Sequence, residues 1–448
     1  MATGWTVSLP TVIQLLPAYI RCAVASGALV LCAWPPLGAQ RLATPVTRAD
    51  AHRAALAAGT RVALARADTA AAIARLLTAR ALPNPVLGAT YSKSPPQKHL
   101  TLDLPLLDAI WTRGARVDQA RASTRAARLL YASEEAAVLV EIDTTYTRAL
   151  ATQARFRLSR QTARDADSLR KMSASRRDAG DASDLDVDLA TVAAGQQYNV
   201  ATDDSLSYMS ALVTVQTLMG LAADSVAIVL ADSLVLTRAD TATELRTVEH
   251  GTVVSLPPPP STTAGGAVPS ADFRPTPSVL AAEASLHAAE LGITLQRRSV
   301  WQLPALLLGV EWGDPSEPGY LPLIGVTVPL PLFNRNQGPI AEAKAERNRA
   351  AAQLTVARLG ARQRLIEGVR EREQLIAKVA RDRDLVIRAQ RVADRSLTAY
   401  REGAAGLPAV LEARRTAREV LGQYIEDLAA LLTVNTELRA LTYPVLVP

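Results

Sequence analysis

The chain has 448 residues and a formal net charge of +6, from 49 basic and 43 acidic side chains; 49% of it is apolar but only 4% aromatic, with three Phe. That aromatic content is too low for several large cores anchored on rings, and the arginines alternate with Asp and Glu instead of forming the basic stripe that nucleic-acid binding requires. The two cysteines, Cys22 and Cys32, both lie near the start, which excludes a disulfide framework or a Cys metal site in the rest of the chain.

In chain order, Arg21 precedes an apolar run at 22–34, and small residues lead to Ala39. This predicts a secretory signal segment at 1–39, cleaved before Gln40. The run is too short for a span of about 20 residues, and Leu31 before Cys32 does not fit lipid attachment. An Ala-, Leu- and Arg-rich helix is expected at 46–80, broken by Pro83 and Pro85. A first strand is predicted at 86–92, a loop at 94–97 and a second strand at 99–106. One uninterrupted helical pattern then runs over 113–178. The turn at 180–184 offers Ser183 or Asp184 as the cap of a helix at 185–221. Residues 222–251 are mixed, and 257–266 is a Pro/Gly-rich linker. A helix at 277–298 follows, then strands at 305–312 and 321–328. Pro329 and Pro331 stop the last strand, since proline has no N–H for a ladder. Helices are predicted at 339–402 and 408–441.

The two halves carry matched landmarks. Pro105 and Pro329 are 224 positions apart, as are Gly114 and Gly338, and Gly180 and Gly403 are 223 apart. One nearly constant offset argues for duplication, each half reading helix–strand–strand–long helix–helix. At 1.5 Å per residue each long helix would extend roughly 100 Å. In the second, Leu365, Val369, Arg372, Ile376, Val379, Arg383, Val386, Gln390, Ala393, Leu397 and Tyr400 make a heptad-like seam with three polar breaks. Such a seam suits a helix wetted on two sides, and on the helices alone a plain coiled coil fits it as well or better.

The strands alternate. Leu100, Leu102 and Leu104 share one face, opposite Thr101 and Asp103. Leu306, Leu308 and Val310 alternate with Leu307, Gly309 and Glu311, while Ile324, Val326 and Val328 alternate with Gly325 and Thr327. Apolar-out, polar-in alternation is the signature of a membrane β-barrel, weak in each strand taken alone; a small soluble hairpin with surface aromatics is the alternative. Trp111 and Trp301 fall near the helix-side ends of these strands, and Tyr91, Trp312 and Tyr320 near the loop-side ends, as two interfacial belts would. Four strands do not close a barrel, so this reading requires an oligomer.

The stretch Val328-Pro329-Leu330-Pro331-Leu332-Phe333-Asn334-Arg335-Asn336-Gln337-Gly338-Pro339-Ile340-Ala341-Glu342-Ala343, its weaker counterpart at 104–120, and Tyr400-Arg401-Glu402-Gly403 followed by Val410-Leu411-Glu412-Ala413 resemble the TolC-type outer-membrane factor family, in its heavy-metal and multidrug efflux branch. The likeness extends over roughly 47–441. It implies a mainly α fold with a small β part, built as two repeats at 40–221 and 277–441. An equatorial segment and linker at 222–276 would join them, and a tail at 442–448 would follow. As a homotrimer the chain would form a 12-stranded outer-membrane β-barrel on a periplasmic α-helical barrel. The implied function is the passive exit duct of a tripartite efflux system, with a periplasmic adaptor (a membrane fusion protein), an inner-membrane pump and outer-membrane lipid as partners. A type I protein-secretion duct shares that architecture, and a soluble periplasmic coiled-coil adaptor is the competing class.

Enzyme signatures are missing from the pattern. His52, His99, His250 and His287 have no metal spacing, and neither a phosphate loop nor a nucleophile elbow is present. No catalytic residue, cofactor, metal or nucleic-acid partner is expected. Asp181, Asp184, Asp186 and Asp188 cluster at the turn after the first long helix. Two readings stay open for them: an acidic ring at a tunnel mouth, which favours cations, or solvated acids at a helix N-terminus. The family resemblance places adaptor contacts at the turns of Gly180, Ser183, Gly403 and Gly406; the second of these turns has no acid.

Overall fold

The computed structural model describes residues 45–105, 111–222, 228–234, 246–249, 252–255, 275–300, 305–328 and 330–442. Residues 1–44 are not among them, so the expected signal segment and both cysteines lie outside the described residues. So do the linker at 257–266 and Trp301.

The order is β1 (Pro45–Val46), α1 (Arg48–Ala58), α2 (Thr60–Arg80), β2 (Val86–Tyr91), β3 (Lys98–Leu104), α3 (Arg113–Asp178), α4 (Asp184–Leu218), β4 (Val229–Leu230), β5 (Arg246–Glu249), β6 (Thr252–Ser255), α5 (Pro277–Arg298), β7 (Ala305–Trp312), β8 (Tyr320–Thr327), α6 (Gln337–Arg401) and α7 (Leu407–Thr442). The fold is mainly helical with a small sheet part. The two long helices have 66 and 65 residues.

The helix expected at 46–80 is split in two. Thr47 caps α1 in a reciprocal box with Asp50. Gly59 then adopts an extended conformation at φ −61°, ψ 130°, and a Cβ there would stand 2.1 Å from the Ala55 carbonyl oxygen. Only glycine permits that approach, so the chain restarts at Thr60. The first two described residues are not helical either: β1 pairs in parallel with β4, Pro45 opposite Val229 and Val46 opposite Leu230.

This short pairing closes a core at mid-chain. Ile142 and Tyr146 of α3 are fully buried there with Ala51, Ala55, Val215 and Leu230. The Tyr146 hydroxyl lies 2.8 Å from both the Val46 carbonyl oxygen and Asp232 Oδ2, and the Arg48 backbone N–H donates to the same Asp232 oxygen at 2.9 Å. Burial and the Asp232 contact push the Tyr146 phenol up, so it stays a donor. Asp143 joins α1 to α3 by accepting from Arg48 Nη1 at 3.3 Å and lying 2.8 Å from His52 Nε2. Burial opposes ionisation of Asp143, but the His52 hydrogen bond and the Arg48 charge outweigh it and hold the carboxyl below its ordinary range.

Elsewhere helices pack in pairs on small side chains. Ala79 meets Val117 and Ala120, and Val279 meets Leu354 and Ala361. Gly368 leaves room for Leu438, whose side chain a Cβ would meet at 3.0 Å. Of the seam on α6, Val369, Val379, Ala393 and Tyr400 are buried. Two of its polar breaks, Arg383 and Gln390, are exposed. The third, Arg372, is half-buried and donates to Asn435 Oδ1 of α7 at 2.8 Å.

Candidate functional site

The first candidate region is the four-stranded antiparallel sheet, ordered β2-β3-β7-β8. Its register puts Leu87, Leu102, Leu308 and Ile324 in one row across all four strands. Ala89, Leu100, Val310 and Pro322 form the next row, and Leu104, Leu306 and Val326 another. Side chains alternate faces along a strand, so these rows share one face. That face is apolar except at its tip, where Tyr91, Lys98, Trp312 and Tyr320 are aligned, with the Trp312 and Tyr320 ring centroids 6.1 Å apart. Ile324 is 76% exposed and Tyr320 77%, so among the described residues nothing covers the face at β8.

The opposite face carries Gly88, Thr101 and Gly309 in one row and Thr90, His99 and Glu311 in the next. His99 Nδ1 lies 2.9 Å from Glu311 Oε1 across β3 and β7. Leu307, Leu321 and Leu323 also stand on this face, so it is mixed where the alternation suggested polarity. Val328 lies outside the sheet: β8 begins one residue earlier than expected and stops at Thr327, two residues before Pro329. Likewise β2 stops at Tyr91 and β3 at Leu104, just before Pro105. Trp111, beside the start of α3, is 54% exposed. Among the described residues no helix is long and apolar enough to cross a membrane.

The second region is the pair of helical tips. Gly180 (φ 84°) and Gly403 (φ 76°) both adopt the left-handed conformation. After α3, the Asp181 N–H donates to the Arg176 carbonyl oxygen at 2.8 Å and the Gly180 N–H to Arg177 at 2.9 Å. After α6, Ala404 donates to Ala399 at 2.8 Å and Gly403 to Tyr400 at 3.1 Å. These are two Schellman closures with identical spacing. Ser183, not Asp184, caps α4: its Oγ accepts the Asp186 N–H and the Asp186 carboxylate accepts the Ser183 N–H, both at 3.2 Å. Asp186 is therefore engaged in the cap, while Asp184 lies 3.7 Å from Arg177 Nη1. The Asp178 carboxylate, with Asp184 behind it, holds the Arg177 guanidinium protonated above its ordinary range. Asp181, Asp184 and Asp188 are exposed, as are Gly180, Ser183, Gly403 and Gly406.

A contact between the tips was not evident from sequence. The buried Tyr400 hydroxyl lies 3.0 Å from Ser173 Oγ, and Arg176 donates to the Tyr400 carbonyl oxygen while its guanidinium sits 4.7 Å from the ring centroid. The only hint was that the α6 seam ends at Tyr400; its partners are more than 220 positions away. Among the described residues no group of three His, Cys, Asp or Glu side chains could hold a metal.

Neither a protein-family model nor a curated protein sequence matches the chain. Solved structures do match its fold. The CmeC outer-membrane channel of Campylobacter jejuni aligns with a TM-score of 0.69 at 13% identity, covering 88% of this chain and 85% of that one. The outer-membrane protein VceC of Vibrio cholerae aligns at 0.67 and 17%, covering 88% and 96%. CusC, described in terms of transmembrane channel formation, aligns at 0.67 and 14%, covering 92% and 96%. The fold is that of the TolC-type outer-membrane channels.

Proposed function

We propose that the chain is an outer-membrane efflux duct. Three copies would close a 12-stranded barrel in the lipid, and their long helices would continue it as a water-filled tunnel into the periplasm. The observation that carries this reading is the sheet, whose apolar face is uncovered at β8 and whose edges, β2 and β8, are unpaired among the described residues. Lipid satisfies no backbone group, so a sheet within it must have no edge. Bacterial single-chain barrels start at eight strands, so four strands per copy call for several copies. Three copies follow the family resemblance, and the solved structures that share the fold are described as outer-membrane channels.

The same reading assigns residues. Leu100, Leu102, Leu104, Leu306, Leu308, Val310, Ile324 and Val326 would face lipid, with Tyr91, Trp312 and Tyr320 at the outer interface and Trp111 at the inner one. The 40–221 and 277–441 segments would be duplicated repeats, a view supported by the matching closures at Gly180 and Gly403. The tips would receive a periplasmic adaptor, through which an inner-membrane pump delivers substrate; the pump supplies the energy and this chain the path. The exposed Asp181, Asp184 and Asp188 would give the mouth a preference for cations. Expression of the full chain in a Gram-negative host followed by detergent fractionation tests this. Recovery with the Sarkosyl-insoluble outer membrane is expected; recovery as a soluble periplasmic protein would contradict it and favour the adaptor class.

A further inference from the structure

Where the C-terminal half of α6 packs on the middle of α7, two carboxyl groups meet. Asp427 of α7 is 5% exposed. Its Oδ1 accepts from Lys378 Nζ of α6 at 2.7 Å and from Gln423 Nε2 at 3.1 Å. Its Oδ2 is buried with no donor, and so is Oδ2 of Asp382, one helical turn after Lys378. The Asp382 and Asp427 carboxyl groups are within hydrogen-bonding reach of each other. An ionised carboxylate only accepts, so two ionised groups would leave both oxygens unsatisfied and their charges in repulsion. One proton between them satisfies both oxygens.

We propose that Asp382 and Asp427 form a one-proton binding site that fastens α6 to α7. Asp427 keeps its charge toward Lys378, and Asp382 carries the proton. A divalent cation is the other ligand that two carboxylates suggest, but the Lys378 ammonium already occupies the cationic position on Asp427, and a second cation beside it would be repelled. The surrounding charges fit. On α6, Lys378 and Arg381 face the pair; on α7, Glu426 acts on Lys378. On α3, Arg155 is ion-paired to Glu426 and lies 3.8 Å from Asp204 of α4. Burial, then the hydrogen bond to Asp427 and its charge, raises the Asp382 carboxyl above its ordinary range. A group whose folded-state affinity for a proton exceeds its unfolded one stabilises as pH falls through the raised value, and that contribution is lost above it. The site does not depend on the duct reading.

Infrared titration of the full chain in detergent tests the proposal through the carbonyl band of a protonated carboxyl. A band that persists above the ordinary carboxylate range is expected in the parent protein. It should vanish in both Asp382→Asn and Asp427→Asn and survive in the surface control Asp394→Asn. The melting temperature of the parent should rise as pH is lowered from neutral, while that of Asp382→Asn should be flatter and higher at neutral pH. Lys378→Met, which keeps both carboxyls, should move loss of the band to higher pH. Absence of the band in the parent, its persistence in Asp382→Asn, or its insensitivity to Lys378→Met would overturn the proposal. Displacement of the proton by added magnesium or calcium at fixed pH would also overturn it, showing a cation site instead.

Discussion

Single residues decide where the long helices stop and what is presented there. Gly180 and Gly403 are left-handed, and an added Cβ at Gly180 would meet nothing within 4 Å. A substitution there acts through the backbone, at a cost of about 1–2 kcal/mol for an L-residue in that conformation. Gly180→Leu and Gly403→Leu are therefore expected to leave the folded oligomer in the membrane while abolishing export, if the tips are where an adaptor docks. Export assays beside oligomer gels separate the two effects, and export that survives both changes would put docking elsewhere. The glycines and the Ser183 cap were legible because turn and cap chemistry is local. The Ser173–Arg176–Tyr400 contact and the Asp382–Asp427 pair were not, because they join helices distant in sequence whose rotation about their axes the periodicity leaves open.

Among the elements, α3, α5 and β7 follow their sequence patterns closely, since long apolar periodicity and bounding prolines or glycines mark them. The break between α1 and α2 was missed: an isolated glycine in an alanine-rich run gives no periodic signal, and its requirement comes from the close Ala55 carbonyl. The β1–β4 pair was invisible for a similar reason, since two-residue strands have no period. The sheet was legible strand by strand, but its register came only from the structure, and the register makes a sharp prediction. Leu102 and Val326 stand on the apolar face, Thr101 and Thr327 on the other. An Arg on a lipid-facing strand position near the midplane costs about 2–4 kcal/mol. Leu102→Arg and Val326→Arg should thus block membrane insertion, while Thr101→Arg and Thr327→Arg should be much milder. Equal loss of membrane-inserted protein for both faces would show that these are not membrane strands.

For the whole molecule, the unfinished feature is the pair of sheet edges. Among the described residues β2 and β8 each pair on one side only, and exposed edges of this kind invite pairing with another chain. The apolar rows at Leu87 and Ile324 would then run on from one copy to the next. The two natural cysteines fall within 1–39, the segment expected to be removed, so introduced ones can be read without background. The most direct measurement is disulfide crosslinking in isolated outer membranes, pairing a cysteine at Leu87 or Ala89 of β2 with one at Ile324 or Val326 of β8. Closure predicts that at least one pairing links chains covalently, in a ladder ending at three, and that pairs placed on opposite faces do not link. Chains that remain monomeric in every pairing, or a sheet whose edges never meet, would contradict a barrel shared between copies.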